Sequence, residues 1–303
     1  MKLSVIICTW NRASLLRQTL EQLTHLRVPS GVSWEVLVIN NNSTDDTEAV
    51  ARLFQTRLPL RYLCEPKKGK SYALNLAMQA ALGAYLLYTD DDVLVEEDWL
   101  CGYADAFARN PECAIFGGAI EPWFEGTPPP WIKPVLPLVE SAWAIRRLEH
   151  GRAPFAMEKS FLPFGANLAI RKTEQLRFPY DPSLGPSEDT QRRGEETACV
   201  VQMLDAGVQG IWVPAARVRH FLPIARQSAD FLRGVYRGLG ELSGQRMKAR
   251  GESGFGTRVS LRILALWGEL KYATGRALGL PTVWVTGLRS ASMAWGRLEG
   301  LRS

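Results

Sequence analysis

The sequence has few cysteines, and none of them is arranged as a pair. Its 303 residues include five cysteines, an odd number, and no C-x-x-C motif. Disulfide frameworks use even sets of cysteines, and structural zinc sites and thiol redox centres normally use closely spaced pairs. We therefore expect a protein of a reducing compartment, without structural disulfides or zinc.

The C-terminal region lacks an apolar run long enough to cross a membrane. A spanning helix needs about 20 consecutive apolar residues, and the longest uncharged stretch in this region lies between Arg276 and Arg289. At the N-terminus, the apolar run 3–8 starts at once and no cleavage site follows it, which indicates a strand and not a signal peptide. We expect a cytoplasmic protein, with a peripheral position at the inner face of the membrane as the alternative.

Two motifs of other protein classes are also missing. The turns after the first two predicted strands carry no G-x-G-x-x-G fingerprint, which argues against an NAD-dependent oxidoreductase. The sequence has neither zinc-finger spacing nor a basic stretch interleaved with stacking aromatics, so we expect no nucleic-acid partner.

Positive charge is concentrated near the C-terminus. Residues 1–216 carry 21 Lys and Arg against 26 Asp and Glu, whereas residues 217–303 carry 15 against 5. The two balances, −5 and +10, add up to the net charge of +5. Such a basic tail either faces an anionic partner, for example a membrane surface, or is an ordinary solvated face.

Short apolar runs alternate with helical patterns along the chain. The predicted strands are residues 3–8, 34–39, 60–63, 84–89, 165–170 and 210–213. The predicted helices are 13–26, 71–82, 195–206 and one that the capping side chains of Ser43–Thr47 begin. This order predicts an α/β fold with a mostly parallel, Rossmann-like sheet and helices on both faces. After residue 225 the pattern becomes helical and basic.

Three consecutive aspartates, Asp90, Asp91 and Asp92, follow the fourth predicted strand. Carboxylates massed at the C-terminal end of a strand repel one another unless a cation lies between them, and ligands of open α/β sheets bind at that end. Oxygen ligands suit Mg²⁺ or Mn²⁺, and such a site usually needs a phosphate to complete it. The run therefore predicts a metal-bound phosphate ligand, and an acidic turn before the next helix is the alternative.

Other polar groups are expected at the same edge of the sheet. Thr9–Arg12 and Asn40–Ser43 follow the first two strands, and their donors and acceptors suit a base and a ribose. Each of the two could instead be a polar turn that caps a helix. Glu195 and Glu196 begin a predicted helix, where a carboxylate serves either as a general base or as a first-turn acid that complements the helix dipole.

Two aromatic segments lie outside this alternation. Residues 121–160 form an insertion punctuated by prolines, and its tryptophans, among them Trp131, favour an ordered lid or acceptor wall. Near the C-terminus, an apolar stripe at helical spacing consists of Trp284, Leu288, Ala291, Trp295 and Leu298. A basic helix with such tryptophans either lies on a membrane or packs on the rest of the protein.

Seven strings occur in a consistent order over residues 3–240. They are LSVIICTWNR, VLVINNNSTDDT, EPKKGKSYALNLAMQAALGAYLLYTDDDVLVEEDWL, FGANLAIRK, YDPSLG, RRGEETACVVQMLDAG and IWVPAARVRHFLP. In this order they resemble the family-2 glycosyltransferases with the GT-A fold. The resemblance implies an inverting, metal-dependent enzyme that moves a sugar from a nucleoside-diphosphate sugar to a hydroxyl, with Mg²⁺ or Mn²⁺ as cofactor. Acceptors in this family are often lipid-linked saccharides or growing polysaccharides, which implies polysaccharide or glycolipid biosynthesis.

The resemblance also implies roles for the residues of the donor site. Thr9, Asn11 and Arg12 would line the nucleobase end of the donor. Asn41 would lie near the base and ribose, and Lys70 is in a loop that usually approaches the nucleotide.

The metal site and the catalytic base follow from the same resemblance. Asp90 would touch the ribose and Asp92 would ligate the metal, with Asp91 as an alternative ligand. His220 would lie near the diphosphate and the metal. The base would be Glu196, supported by Glu195. The residues expected to border the acceptor are Gly165, Ala166, Asn167 and Trp131.

Two positions depart from the family pattern. The turn after the second strand usually carries an aspartate, but here it reads Asn40-Asn41-Asn42, so an amide replaces a carboxylate as hydrogen-bond acceptor and uracil recognition is in doubt. Glu196 stands where many relatives have aspartate, which lengthens the base by one methylene.

From these patterns we expect a GT-A domain in residues 1–225 and a helical extension in 226–303. Residues 1–120 would form the nucleotide-binding half of that domain and 121–225 the acceptor-binding half. A nucleoside-diphosphate-sugar-binding module without transfer activity is the alternative function, and the intact acids at both sites argue against it.

Overall fold

The structure, a computed structural model, describes residues 1–185 and 194–302. Contacts divide the chain into two compact units, Met1–Pro122 with Ile145–Phe221 and Trp123–Ala144 with Leu222–Ser303. Segment 123–144, which we had assigned to the acceptor-binding half, therefore groups with the C-terminal helices. Arg192 and Arg193, which begin the string RRGEET, lie outside the described residues.

The first unit contains the sheet and the helices that cover it. The strands are β1 (Lys2–Thr9), β2 (Ser33–Asn40), β3 (Leu60–Cys64), β4 (Tyr85–Asp90), β5 (Val93–Val95), β6 (Ile115–Phe124), β7 (Phe155–Ala156), β8 (Leu168–Arg171) and β9 (Gly210–Leu222). Its helices are α1 (Ala13–Leu23), α2 (Thr47–Leu53), α3 (Lys70–Ala80), α4 (Trp99–Arg109), α6 (Lys172–Gln175) and α7 (Glu195–Asp205).

Within the described residues, the strands form one sheet in the order β3-β2-β1-β4-β8-β6-β9-β5, and β7 pairs with β9. Strands β1 to β4 pair in parallel, as the alternation of strands and helices predicts. The pairs β4–β8, β6–β8 and β5–β9 are antiparallel. The parallel part of the sheet thus ends with β4 and lies inside residues 1–120, the half that the sequence predicts to bind the nucleotide.

The register of the parallel strands brings their polar ends together. Thr9 pairs with Asn40, Asn40 pairs with Cys64, and Cys8 pairs with Asp90. The turns that follow β1, β2 and β4 therefore meet at one edge of the sheet, where ligands of such sheets bind.

The sheet is buried on both faces, which explains the unbroken apolar run of β1. Val5 packs in one cluster with Leu16 of α1, and Ile6 packs in the other with Leu74 of α3. All four side chains are at most 3% exposed. Successive residues of a strand point to opposite faces, so a strand with helices on both sides has no polar face.

Most element bounds lie within two residues of those predicted, and three differ by three residues or more. Helix α1 ends at Leu23 and not at residue 26. Residues Gly165–Asn167, predicted as strand, form a turn of 3₁₀ helix, because the Asn167 amide bonds to the carbonyl of Phe164 and the strand begins only at Leu168. Strand β9 continues to Leu222, and this extension carries His220.

The second unit is helical in the part that the structure describes. Its helices are α5 (Ile132–Val139), α8 (Ala229–Ala249), α9 (Phe255–Ala277) and α10 (Pro281–Gly300). Helix α10 packs along both α8 and α9. Glycines allow this close approach, since a β-carbon on Gly268 of α9 would come within 2.6 Å of the Ala291 backbone.

The apolar stripe of α10 is buried inside this unit. Trp284, Leu288 and Ala291 are at most 3% exposed and face the neighbouring helices. The stripe therefore packs inside its own unit and does not form an exposed surface, and membrane association of the C-terminal region stays a prediction. Between residues 1 and 185 and between 194 and 302, no helix has the length and hydropathy needed to cross a bilayer.

Candidate active site

Arg12 joins two of the three consecutive aspartates. Its Nη1 atom donates to Asp91 Oδ1 at 3.0 Å and to Asp92 Oδ2 at 2.9 Å. Thr9 donates its hydroxyl to Asp91 Oδ2 at 2.7 Å. Burial raises the pKa of Asp91 to about 6, although Arg12 acts in the opposite direction. Both carboxylate oxygens of Asp91 are thus occupied by groups of the protein itself.

Asp92 faces His220. Its Oδ1 atom lies 3.5 Å from His220 Nε2, and both side chains are buried. The antiparallel pairing of β5 with β9 fixes this approach, because it places Val93 opposite His220. The amide of Phe221 also donates to the carbonyl of Asp92 at 2.9 Å.

These residues fit a divalent cation as a partial ligand set. Within the described residues, no three His, Cys, Asp or Glu side chains converge into a metal cage. Asp92 Oδ1 and His220 Nε2 face each other and could supply two ligands. Protein sites for Mg²⁺ typically supply only one or two carboxylates and leave the remaining positions to phosphate and water. The donor set therefore suits a cation that arrives with a phosphate ligand.

Lys70 connects the end of β4 to the start of α7. Its ammonium lies 2.9 Å from Asp90 Oδ1, 2.7 Å from Glu196 Oε1 and 3.8 Å from Glu195 Oε1. Burial alone would lower the pKa of Lys70, but Asp90, Glu196 and Glu195 together hold it well above its ordinary value. Lys70 is the first residue of α3 and follows Gly69, whose φ of 129° an L side chain rarely adopts.

Glu195 and Glu196 have opposite electrostatic environments. Burial and the neighbouring Glu196 carboxylate raise the pKa of Glu195 to about 8. Burial also acts to raise the pKa of Glu196, but Lys70 and a hydrogen bond with Glu195 lower it below its ordinary value. Near neutral pH, Glu195 is therefore the protonated member of the pair and Glu196 is the carboxylate.

Gly165 forms the wall beside Glu196. A β-carbon at Gly165 would overlap the Oε1 atom of Glu196, so only glycine leaves room for this carboxylate. Gly165 lies beside the predicted base, and its predicted contact with an acceptor stays a prediction.

Ala166 and Asn167 are buried beside the strand ends. Asn167 is fully buried, and its Oδ1 atom accepts from Trp99 Nε1 at 2.9 Å and from Tyr103 Oη at 2.7 Å. Its Nδ2 atom donates to the carbonyls of Ala119 and Ala216, both at 2.9 Å. Ala166 is 1% exposed. The amide of Asn167 is occupied by these four groups, so a contact with an acceptor would require the network to open, and the predicted acceptor role of both residues stays a prediction.

The asparagines of the first two turns mainly bind other loops. Asn41 donates to the carbonyls of Glu65 and Lys67 and accepts from the amide of Gly69, which fixes the loop before α3. Asn11 accepts from the amide of Thr44 at 2.7 Å. These bonds occupy the amide of Asn41, so a direct contact of its side chain with base or ribose would require that loop to rearrange.

Trp131 lies in the second unit and not in the first. Its ring packs against that of Trp284, with 4.8 Å between the centroids. With Pro130, Arg276, Gly279 and Pro281, the two tryptophans line a cavity of about 360 Å³. The predicted contact of Trp131 with an acceptor stays a prediction.

Sequence reasoning missed Thr19 and the partners of Asn167. Thr19 donates its hydroxyl to the carbonyl of Asp91 at 2.9 Å from the middle of α1. Its signal in the sequence is a polar residue on the buried face of that helix. Trp99 and Tyr103 follow the aspartates closely and are spaced one helical turn apart on α4, but nothing in their spacing identifies Asn167 as their partner.

Two curated relatives match part of the chain. The succinoglycan biosynthesis protein ExoM of Rhizobium meliloti is 26% identical over 135 residues, which are 44% of this chain and 43% of the relative. The glycosyltransferase AglE of Haloferax volcanii is 35% identical over 99 residues, 32% of each protein. The matched stretch thus spans less than half the length of these relatives.

Solved structures match nearly the whole chain. A mannosyltransferase from Pyrobaculum calidifontis, in complex with GDP-Man and Mn²⁺, aligns with a TM-score of 0.61 and 20% identity over 99% of this chain and 86% of that one. TarS 1–349 of S. aureus, in complex with UDP, aligns with a TM-score of 0.54 and 14% identity over 100% and 91%. At this identity the likeness establishes the fold, and the GT-A fold predicted from the sequence is confirmed.

A family profile covers the part of this site that precedes Glu195, Glu196 and His220. It is described as Glycosyl transferase family 2 and matches residues 4–171, more than half of the chain. The match includes Thr9, Arg12, Lys70 and the three aspartates. The chain therefore belongs to glycosyl transferase family 2.

Proposed function

We propose that this protein is an inverting, metal-dependent glycosyltransferase that moves a sugar from a nucleoside-diphosphate sugar to a hydroxyl acceptor. The observation that carries the proposal is the position of Lys70, which binds Asp90 and Glu196 at 2.9 and 2.7 Å. The Lys70 ammonium thus holds Asp90, which is expected to bind the donor, close to Glu196, which is expected to act as the base.

Glu196 is the residue best placed to take the proton of the acceptor hydroxyl. It is charged near neutral pH because Lys70 holds its pKa below the ordinary value. A general base works best with a pKa near the working pH, so Glu196 is a weak base while Lys70 is bound to it. We expect the diphosphate of the donor to compete for the Lys70 ammonium, which would raise the pKa of Glu196 when the donor is present.

Glu195 and Gly165 position this base. Glu195 shares a hydrogen bond with Glu196, and its own pKa of about 8 makes it the donor in that bond at neutral pH. Gly165 leaves space beside the Glu196 carboxylate. The attack of the hydroxyl on the anomeric carbon, from the side opposite the leaving group, would invert that centre in a single displacement.

Asp92 and His220 would hold the divalent cation, and Asp91 would not. Both oxygens of Asp91 are occupied by Thr9 and Arg12, whereas Asp92 Oδ1 faces His220. When bound, Mg²⁺ or Mn²⁺ would neutralise charge on the departing nucleoside diphosphate. The mannosyltransferase of Pyrobaculum calidifontis was solved with GDP-Man and Mn²⁺, which supports a nucleotide sugar and a divalent cation here as well.

The acceptor class is proposed from the family relationship. The relatives include a succinoglycan biosynthesis protein and a poly-β-1,6-N-acetyl-D-glucosamine synthase, which favours a saccharide or lipid-linked acceptor. Such an acceptor would place the enzyme at the cytoplasmic face of a membrane, as a peripheral protein.

A donor screen tests this function. The purified protein is incubated with a panel of sugar nucleotides, Mn²⁺ and candidate acceptors, and release of nucleoside diphosphate is measured. We expect release with at least one donor, and a roughly 10²- to 10⁴-fold lower rate for Glu196→Gln with donor binding retained. Glu97→Gln, which changes an exposed glutamate, is the control and should keep the wild-type rate.

Two results would contradict the proposal. Binding of a sugar nucleotide without release of nucleoside diphosphate by the wild type would favour the binding-module alternative. Full activity of Glu196→Gln would remove Glu196 from the role of base. The anomeric configuration of the product, determined by NMR, separates inversion from retention.

A further inference from the structure

Helix α9 turns an apolar face away from the rest of its unit. Ile263, Leu266, Trp267 and Leu270 are 53, 62, 67 and 54% exposed, respectively. They follow the spacing i, i+3, i+4, i+7 and therefore lie on one side of the helix. We call these four residues the outer face of α9.

The opposite side of α9 is the one that packs against α10. Leu261, Ala265, Gly268 and Gly275 are buried there, and β-carbons on the two glycines would overlap the backbone of α10. The closest contacts with α10 are made at small residues, with Leu261 and Tyr272 also packing there, while four large apolar side chains face outward. In a soluble helix that only covers a core, the large apolar residues lie on the inner side.

The outer face continues at both ends of the helix. Phe255, at the first position of α9, is 84% exposed, and Leu278, directly after its last residue, is 70% exposed. Exposed apolar side chains scattered singly need no explanation, but four large ones grouped on one side of a helix within residues 263–270 mark an interaction surface.

Basic residues flank the outer face of α9. Arg262 and Lys271 are exposed on its two sides, and among the described residues neither has a carboxylate partner. The helix carries a single acid, Glu269, which is paired with Arg233 at 3.1 Å. An anionic layer could therefore meet the outer face without repulsion from an unpaired carboxylate of α9.

We infer that the outer face of α9 is the surface by which this protein binds an anionic lipid bilayer. Large apolar side chains with a tryptophan among them and basic residues on both flanks, here Arg262 and Lys271, are typical of helices that lie in the plane of a membrane interface. The basic flanks complement anionic headgroups, each contributing while it lies within a Debye length of the surface. A protein that bound this face would need acidic side chains opposite Arg262 and Lys271. A second copy of the outer face carries the same two positive charges, so the two copies would repel each other.

The inference needs neither donor nor acceptor, so it can fail or hold independently of the proposed transferase activity. It also differs from the sequence prediction, because the α10 stripe proposed there is buried and α9 provides the exposed surface instead.

Vesicle flotation of the full chain tests this surface. The vesicles contain equal parts of phosphatidylcholine and phosphatidylglycerol, and vesicles of pure phosphatidylcholine serve for comparison. We expect the variant Trp267→Gln/Leu270→Gln to lower the partition coefficient on anionic vesicles at least about tenfold. A matched control, Leu53→Gln/Leu82→Gln, removes two leucines of similar exposure from the first unit and should partition like the wild type.

A second variant examines the charges. Arg262→Gln/Lys271→Gln should weaken binding to anionic vesicles about tenfold or more and leave the weaker binding to pure phosphatidylcholine unchanged. Added salt should reduce the difference between the two vesicle types for the wild type. Circular dichroism and thermal unfolding of each variant confirm that the helices are intact, which the exposure of all four substituted positions leads us to expect.

Three outcomes would overturn the inference. The first is that Trp267→Gln/Leu270→Gln floats with anionic vesicles to the same extent as the wild type. The second is that the wild type floats with neither kind of vesicle. The third is a lipid-free dimer, seen by sedimentation velocity, that Trp267→Gln/Leu270→Gln dissociates while vesicle binding persists. That result would assign the outer face of α9 to contact with a second copy of the chain.

Discussion

The ammonium of Lys70 lies 2.7 Å from the Oε1 atom of Glu196, and both side chains are mostly buried. The same ammonium is 2.9 Å from Asp90 Oδ1. The Lys70 ammonium therefore neutralises two carboxylates that are far apart in the sequence. Asp90 is at the end of β4 and Glu196 is in the first turn of α7. The position of Glu196, the proposed base, therefore depends on Lys70, which also contacts Asp90 in the proposed donor site.

Replacing Lys70 with methionine should destabilise the first unit. Methionine keeps the length of the side chain but leaves Asp90 and Glu196 without their cation. Loss of one partner of a buried ion pair costs about 3–5 kcal/mol. Because the Asp90 side chain is 26% exposed, we expect the lower end of this range. The measurement is the free energy of unfolding in urea at neutral pH.

Lys67→Met is the matched control for this variant. Lys67 precedes the same helix and is exposed, so its removal should change the free energy of unfolding by less than about 1 kcal/mol. Equal stability of Lys70→Met and Lys67→Met would show that the Lys70 ion pairs contribute nothing measurable.

The raised pKa of Glu195 predicts a pH-dependent stability. Its pKa of about 8 in the folded protein lies above the ordinary value of 4.5, so the native state binds a proton that the unfolded state loses. The stabilising contribution is complete below the unfolded pKa and is lost as the pH rises through about 8. Glu195→Gln has no such proton to lose. The variant should therefore gain stability relative to wild type as the pH rises from about 5.5 to about 8.5.

Urea unfolding of both proteins at the two pH values measures this difference. Each unit of pKa shift corresponds to about 1.4 kcal/mol, so we expect a relative gain of a few kcal/mol. Glu97→Gln, at an exposed position, should show no such trend. A difference between wild type and Glu195→Gln that is constant with pH would mean that Glu195 is ionised in the folded protein at neutral pH.

Much of the parallel half of the fold could be predicted from the sequence, because strands buried on both faces are short apolar runs between turn residues. The edge of the sheet followed from the same rule, since parallel strands place their C-terminal ends together. Residues such as Thr9, Asp91 and Glu196 were therefore expected at one edge before any contact was known.

The partners within that edge could not be predicted in the same way. Asn41 and Asn167 are polar residues next to strand ends, and from the sequence they resemble ligand-binding residues. Their amides are instead occupied by backbone and side-chain groups from α4, β6, β9 and the loop before α3. Which amide is free for a ligand depends on tertiary contacts distant in sequence. The same holds for α10, whose stripe has the pattern of a membrane helix but packs between two neighbours.

The buried amide of Asn167 should be important for stability and not for acceptor binding. Asn167→Leu removes the acceptor for Trp99 and Tyr103 and the donor for two carbonyls. Each buried polar group left without a partner costs about 1–3 kcal/mol, so we expect a loss of at least about 3 kcal/mol or a protein that does not fold. Trp99→Phe removes a single donor and should cost less.

The acceptor KM distinguishes the two roles of this region in whichever variant folds. An unchanged KM for the acceptor in Trp99→Phe, together with lower stability, is expected for a supporting network. A raised KM at unchanged stability would instead return Asn167 to the acceptor site.

Asp91 and Asp92 should respond differently to loss of charge, because only Asp92 faces His220. Asp92→Asn keeps the shape of the side chain but removes the charge of a proposed metal ligand, and loss of a group that only supports such a ligand already costs about 10- to 100-fold in metal affinity. We therefore expect this variant to need at least about tenfold more Mn²⁺ for half-maximal release of nucleoside diphosphate.

Asp91→Asn should lower the free energy of unfolding, since Thr9 and Arg12 lose a charged partner, while the Mn²⁺ requirement of the folded protein stays near that of wild type. Titration of both variants with Mn²⁺, alongside their unfolding in urea, separates the two aspartates. A raised Mn²⁺ requirement for Asp91→Asn and not for Asp92→Asn would exchange their roles.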